Sequence, residues 1–356
     1  MSSILFWDPS CLRPYDTGSV LREATGGSES SLSRVADALD AHVIQHNRTE
    51  TAGRYRPPGR IPGITDVVVS RDARALPIVR ELYPDARFHL WVHDQIHPGS
   101  TRGRRLANMA DVLRELSVTI VCVSDAQRRG VEATLQRMDA GNRMCARTIY
   151  NPIDGALTPD GSPIDRDKLV FFSSPNKGLR FTLDAFRALR KEMPTLRLLV
   201  GNPGYKADTS AHIDGVSWLG PQPQTRIHAE VRTALCTFCP NFVIPETFGL
   251  VFAESMALGT PVLTHDCGAA SEVIGDREQV LPVTRWQRAY ERAFGKLSPH
   301  LRSGPAAMAA RFGLFDQHIE RVRAWRDGAR PHTGPDPRFA LATVADQWRA
   351  LLASSR

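Results

Sequence analysis

Twice along its length this chain alternates short β-type runs with helix-patterned stretches, and that rhythm leaves few folds open. In the first series "ILFW" (4–7), "HVIQH" (42–46), "DVVVS" (66–70), "FHLWVH" (88–93) and "TIVCVS" (119–124) read as strands. Helical patterns near 29–40, 72–82, 104–116 and 125–138 lie between them. The series restarts with "LVFFSS" (169–174), "LRLLVG" (196–201), "VSWLG" (216–220), "CTFC" (236–239) and "PVLTH" (261–265), separated by helical patterns near 178–192, 223–234, 249–258 and 269–274. Strands alternating with helices imply parallel sheets covered on both faces. The expectation is therefore an α/β protein of two doubly wound domains facing a cleft. The Pro-, Gly- and Asp-rich "NPIDGALTPDGSP" (151–163) serves as the linker. The boundaries expected are 1–152, 153–335, and a final helix over 336–356 that packs back on the N-terminal domain. Further helices are expected near 284–296, 303–314 and 316–327.

The length of 356 residues suits two domains. No apolar run reaches the roughly 18–20 residues of a membrane span. "MSSILFWDPS" lacks the basic start, apolar core and cleavage site of a secretory leader, so a cytoplasmic protein is expected. The net charge of +7 is spread along the chain and not gathered into a patch, which argues against a nucleic-acid partner. "RYRPPGR" (54–60) and "TRGRR" (101–105) read as solvated loops. Cys236 and Cys239 have no second pair at zinc spacing and read as reduced structural thiols. His89, His93 and His97 recur every four residues, but on a strand the first two stand about 13 Å apart. No metal site is expected.

Open α/β sheets take ligands beyond the carboxyl ends of their strands, so residues just after strands matter most. "PETFGLVFAESMALGTPV" (245–262) places Glu254 in an otherwise apolar helix. A buried carboxylate needs hydrogen-bond donors, either from the protein or from a ligand's hydroxyls. Glu246 precedes the helix at its positive end, where the N–H groups of Phe248, Gly249 and Leu250 suit an anion. Two carboxylates around an anion site describe a partner that carries both hydroxyls and phosphate. In "FFSSPNKGLRF" (171–181) a strand ends near Ser174, and Lys177 stands at the mouth of the next helix, with Arg180 one turn on. The chain has 40 arginines and 5 lysines, so a lysine there is informative. Gly27, in "TGGSES" (25–30), permits close backbone approach to a phosphate. His93 and Asp94 follow a strand and would face the cleft.

Taken together, these pieces resemble the retaining glycosyltransferases of family 4, which have the GT-B fold of two Rossmann-like domains. The likeness rests on Glu246-x7-Glu254, "NKGL" after a strand, "VSWLG" before a helix, "GGSES" near the start and "VSDAQR" (123–128). It covers about residues 20–280 and is strongest over 169–276. The resemblance implies that Glu254 binds the ribose and Glu246 the transferred sugar. It implies that Phe248, Gly249 and Leu250 meet sugar and phosphate through their backbone, and that Lys177 neutralises the diphosphate. Gly27 would approach the phosphates, His93 the sugar near the reacting carbon, and Gly201, Leu219 and Gly220 would border the base. One position departs from the family: the arginine usual five residues before the lysine is Phe172 here. Ser173, Ser174 or Arg180 would take its place.

The function expected is transfer of a sugar from a nucleoside diphosphate sugar, UDP or GDP in type, to a hydroxyl of a glycan, lipid-linked or small-molecule acceptor. No cofactor is expected, and a peripheral contact at the inner membrane face is compatible with this reading. An epimerase on the same fold and a non-catalytic sugar-nucleotide binder stand as alternatives.

Overall fold

A computed structural model describes residues 3–23, 25–138, 146–202, 212–297 and 301–353. The chain divides into two compact units. The first comprises Met1–Val20, Gly26–Asp154 and Pro337–Arg356; the second comprises Leu21–Thr25 and Gly155–Asp336.

Up to residue 148 the chain runs β1 (Ile4–Asp8), α1 (Thr17–Arg22), α2 (Gly27–Ala38), β2 (His42–Gln45), β3 (Tyr55–Arg56), β4 (Asp66–Ser70), α3 (Leu76–Leu82), β5 (Arg87–Val92), α4 (Thr101–Ala107), α5 (Ala110–Glu115), β6 (Thr119–Cys122), α6 (Asp125–Met138) and β7 (Ala146–Thr148). The seven strands form one sheet in the order β3-β2-β1-β4-β5-β6-β7, with parallel pairing throughout. Every residue of β4 is buried, as a strand covered on both faces requires. Leu5, Val67, Val69, Leu90, Val92 and Ile120 carry one core face against Leu76, Val79 and Leu113.

The second unit holds β8 (Asp165–Phe171), α7 (Leu179–Glu192), β9 (Arg197–Asn202), β10 (Val216–Pro221), α8 (Gln224–Arg232), β11 (Ala234–Phe238), α9 (Leu250–Ala257), β12 (Val262–His265), α10 (Ala270–Ile274), β13 (Val280–Leu281), α11 (Arg285–Phe294), α12 (Ser303–Arg311) and α13 (Asp316–Ala324). Its six strands are parallel in the order β10-β9-β8-β11-β12-β13. The last helix, α14 (Leu341–Ala353), belongs to the first unit and packs on α2. Trp348 of α14 meets Phe6 and Trp91 edge-on, with ring centroids 5.8 and 5.0 Å apart.

Both sheets are doubly wound, so each has a point where the chain reverses its direction across the sheet. That point lies between β1 and β4 in the first unit and between β8 and β11 in the second. Neighbouring connections there leave on opposite faces, and a crevice opens beyond the strand ends.

Several details depart from the expected boundaries. "RYRPPGR", read as a loop, contains β3, which pairs with β2 at the sheet edge. The helix expected over 104–116 is two helices, broken at Asn108–Met109. The short strands β7 and β13 were not expected, because two or three residues carry no period. Cys236 and Cys239 are free and buried, and burial pushes the Cys236 thiol up to about 12.

Two buried polar groupings brace the second unit. Arg302 and Asp184 are fully buried and joined at 2.6 Å. Arg302 also meets Glu291 at 3.0 Å and donates to Phe294 O, while Tyr290 donates to Asp184. His265, ending β12, and His318, on α13, lie with ring centroids 5.0 Å apart among Phe181, Phe242 and Phe315.

Candidate active site

The switch point of the second unit gathers most of the residues singled out from the sequence. After β8 the chain passes Phe172, Ser173 and Ser174 and turns, with Lys177 N donating to Ser174 O at 2.8 Å. Ser174 Oγ engages the Asn176 side chain. Gly178, in the left-handed region, caps α7. On the other side of the crevice, the segment after β11 brings in Glu246. Lys177 Nζ donates to Glu246 Oε2 at 2.6 Å, 69 residues along the chain. Glu246 is buried and Lys177 is one-third exposed. Glu246 Oε1 has no hydrogen-bond partner among the described residues. A buried carboxylate oxygen in that state is a ready acceptor for a ligand hydroxyl.

Two glycines fix this carboxylate and the helix after it. Gly268 has φ +69, and a Cβ there would stand 2.2 Å from Glu246 O. The close approach lets Ala269 N donate to Glu246 O at 2.9 Å and forms a parallel bridge between Glu246 and Gly268. Gly249, with φ +93, is the N-cap of α9; a Cβ there would meet the Phe252 ring at 2.5 Å. Leu250 opens the helix, with Phe248 buried just before it. The first turn of a helix directs N–H groups outward along its axis.

Glu254 lies on the fully buried stretch of α9, and its Oε2 stands 3.8 Å from His228 Nε2 of α8. Gly201 and Gly220 pair across β9 and β10, with Leu219 bulged between Trp218 and Gly220. These three therefore meet at the carboxyl ends of adjacent strands. Arg180 is engaged elsewhere: its guanidinium donates to Gly295 O at the end of α11, at 2.8 Å.

The first unit has its own polar strand ends. His93 follows β5 and lies tilted beside Trp91, with ring centroids 4.5 Å apart. Burial, with the Arg71 charge beside it, pulls His93 down to about 3, so its imidazole is neutral at physiological pH. Its Nε2 has no hydrogen-bond partner among the described residues. Gly27 opens α2 and is exposed. Sequence reasoning missed Arg71, which follows β4 with φ +65 and grips Asp94 with two bonds of 3.1 and 3.2 Å. Burial opposes ionisation of Asp94, and the Arg71 pairing overrides it, holding Asp94 below the usual carboxylate range. Its place one residue beyond a strand was the signal available. His228 and Gly268 were also missed; no local pattern marks either.

Among the described residues no group of three or more His, Cys, Asp or Glu side chains is placed to hold a metal ion.

Comparison with known proteins fits this geometry. Residues 166–297 match the family described as "Glycosyl transferases group 1". The chain is 28% identical over 249 residues to a D-inositol 3-phosphate glycosyltransferase of Acidothermus cellulolyticus, covering 62% of this chain and 55% of that protein. It is 26% identical over 247 residues to a phosphatidyl-myo-inositol mannosyltransferase of Mycolicibacterium smegmatis, covering 65% and 62%. The chain thus spans under two thirds of the length of these relatives. Among solved structures, Anabaena Alr3699/HepE in complex with UDP superposes with a TM-score of 0.62 at 16% identity, over 99% of this chain and 100% of that one. A segment of the second unit is thus similar to the group 1 glycosyl transferases, and the chain as a whole shares the two-unit α/β fold of the GT-B glycosyltransferases.

Proposed function

We propose that this protein is a retaining glycosyltransferase of the family 4 type, which moves a sugar from a nucleoside diphosphate sugar to an acceptor hydroxyl. The observation that carries the proposal is the Lys177–Glu246 pair across the switch point, beside the Gly249-capped start of α9. In this reading the leaving diphosphate gains charge as the glycosidic bond breaks. Lys177 and the α9 N-terminus are already in place to receive it, and such preorganised charge lowers the barrier. Glu246 Oε1 accepts from the transferred sugar, and Glu254 accepts from the ribose. Gly201, Leu219 and Gly220 border the base. Gly27 and neutral His93 of the first unit serve the phosphates and the sugar. A donor phosphate oxygen takes the acceptor's proton as the hydroxyl attacks from the leaving-group side.

A UDP-type donor is supported by the UDP named in the HepE complex. The relatives named for inositol substrates support a polyol-type acceptor, free or lipid-linked. Thermal-shift measurement against UDP, GDP, dTDP and ADP sugars tests the donor assignment. A ligand at 100 times its dissociation constant adds roughly 2.7 kcal/mol of stability. A response to one base, with release of its diphosphate only when a polyol acceptor is present, is the expected result. Binding without transfer or hydrolysis would make the protein a non-catalytic binder.

A further inference from the structure

Helix α11 carries a surface that the proposed reaction does not use. Its residues are RWQRAYERAF, with Gln287 and Tyr290 buried. Its single acid, Glu291, is taken up by Arg302. Arg285, Arg288 and Arg292 are exposed, and exposed Lys296 continues the series two residues past the helix. Positions 285, 288 and 292 recur every three or four residues along α11, so these arginines form one stripe, and Lys296 follows just beyond its end. None of the four is ion-paired with a carboxylate among the described residues. Beside the stripe, Trp286 is 64% exposed and lies under the Arg285 guanidinium, 5.0 Å from carbon to ring centroid. Leu301 is 65% exposed next to Arg302, which binds the last turn of α11.

An uncompensated row of cations flanking an exposed indole matches the chemistry of a bilayer surface. The indole sits at headgroup level, and the cations reach lipid phosphates. No helix among the described residues is long and apolar enough to cross a membrane, so such a contact would be peripheral. We propose that the Arg285–Lys296 face of the second unit docks on an anionic lipid surface, with Trp286 inserted among the headgroups. Charge complementarity chooses this occupant: four cations attract anionic lipid, and one indole supplies a single anchor and not the row of stacking platforms that single-stranded nucleic acid uses. The inference does not depend on glycosyl transfer, and its test needs no turnover.

The test is co-sedimentation of the full chain with vesicles of phosphatidylcholine alone and with vesicles that also contain phosphatidylglycerol. Binding to the mixed vesicles only, weakening as salt is raised, is expected. Arg288→Gln/Arg292→Gln should lower that affinity by at least about tenfold, and Trp286→Ala should lower it further. Thermal unfolding followed by circular dichroism should match the parent in each variant, which certifies the fold. Equal binding to both vesicle types would overturn the proposal. So would no binding to either, a variant that binds like the parent, or capture of single-stranded RNA in place of vesicles.

Discussion

Lys177 Nζ and Glu246 Oε2 stand 2.6 Å apart, one at the mouth of α7 and the other on the segment that leads into α9. The pair joins the two strand ends where the second sheet reverses direction. It holds the lysine in place before any ligand arrives, so binding does not have to order a long side chain.

Lys177→Ala should therefore cut donor turnover by at least about tenfold, since the loss of one preorganised donor near developing charge costs on the order of 3 kcal/mol. Steady-state kinetics with the identified donor checks this. Unchanged turnover would remove Lys177 from the phosphate site.

Glu254→Ala should weaken binding of the free nucleoside diphosphate by about tenfold or more, the scale of a hydrogen bond to a charged group. Glu246→Ala should weaken that binding less, through the loss of the Lys177 pairing alone, and should impair transfer, because its Oε1 is assigned to the sugar. Calorimetry separates the two. Parent-like binding in both variants would reject the assignment of ribose to Glu254.

Transfer should keep the donor's anomeric configuration and proceed in EDTA. Proton NMR of fresh product reads the configuration. An inverted product would reject the family 4 mechanism, whereas retention with strict metal dependence would reject only the view that Lys177 and the α9 start suffice for the diphosphate.

Stability should fall in mild acid through His265 and His318, with the depressed His93 adding to the same slope. Burial pulls His318 down to about 4, and it depresses His265 in the same direction. The ordinary value is 6.5, so between these limits the unfolded chain binds more protons than the folded one. Stability is complete above about pH 6.5 and is lost as pH falls toward 4, with His318 alone contributing about 3 kcal/mol. Denaturant titrations across that range measure the slope, and His318→Phe should flatten it. An unchanged slope in that variant would reject the assignment.

Arg302→Met should destabilise the second unit by about 3 kcal/mol, because it leaves Asp184 buried without its closest cation. Asp184→Leu combined with Arg302→Met should cost less than the two changes summed. Urea unfolding of the four proteins gives the coupling; strict additivity would show that the buried pair does not act as a unit.

The alternation of strands and helices was legible because fully buried parallel strands carry continuous apolar runs, as Val67–Val69 in "DVVVS" do. β13 and the break between α4 and α5 were hidden, since two-residue strands and helix breaks follow from packing and not from local pattern. At the site, Glu254 stood out because a carboxylate in an apolar helix conflicts with its surroundings. The strand-end rule brought in Lys177 and His93. What the sequence withheld was pairing across long separations: Lys177 with Glu246, His228 with Glu254, Arg71 with Asp94. The bond from Arg180 to Gly295 is of the same kind. It engages at α11 one of the three side chains, with Ser173 and Ser174, that the family resemblance offered in place of the arginine usual at the position of Phe172.

The return of the chain to its first unit has a consequence for biosynthesis. All seven strands of that unit are translated by Thr148, yet Trp348, which seals Phe6 and Trp91, emerges roughly 200 residues later, after the whole of the second unit. On the ribosome the second unit can close while the first still shows an aromatic face. The unit whose strands are made earliest is thus the last to be completed.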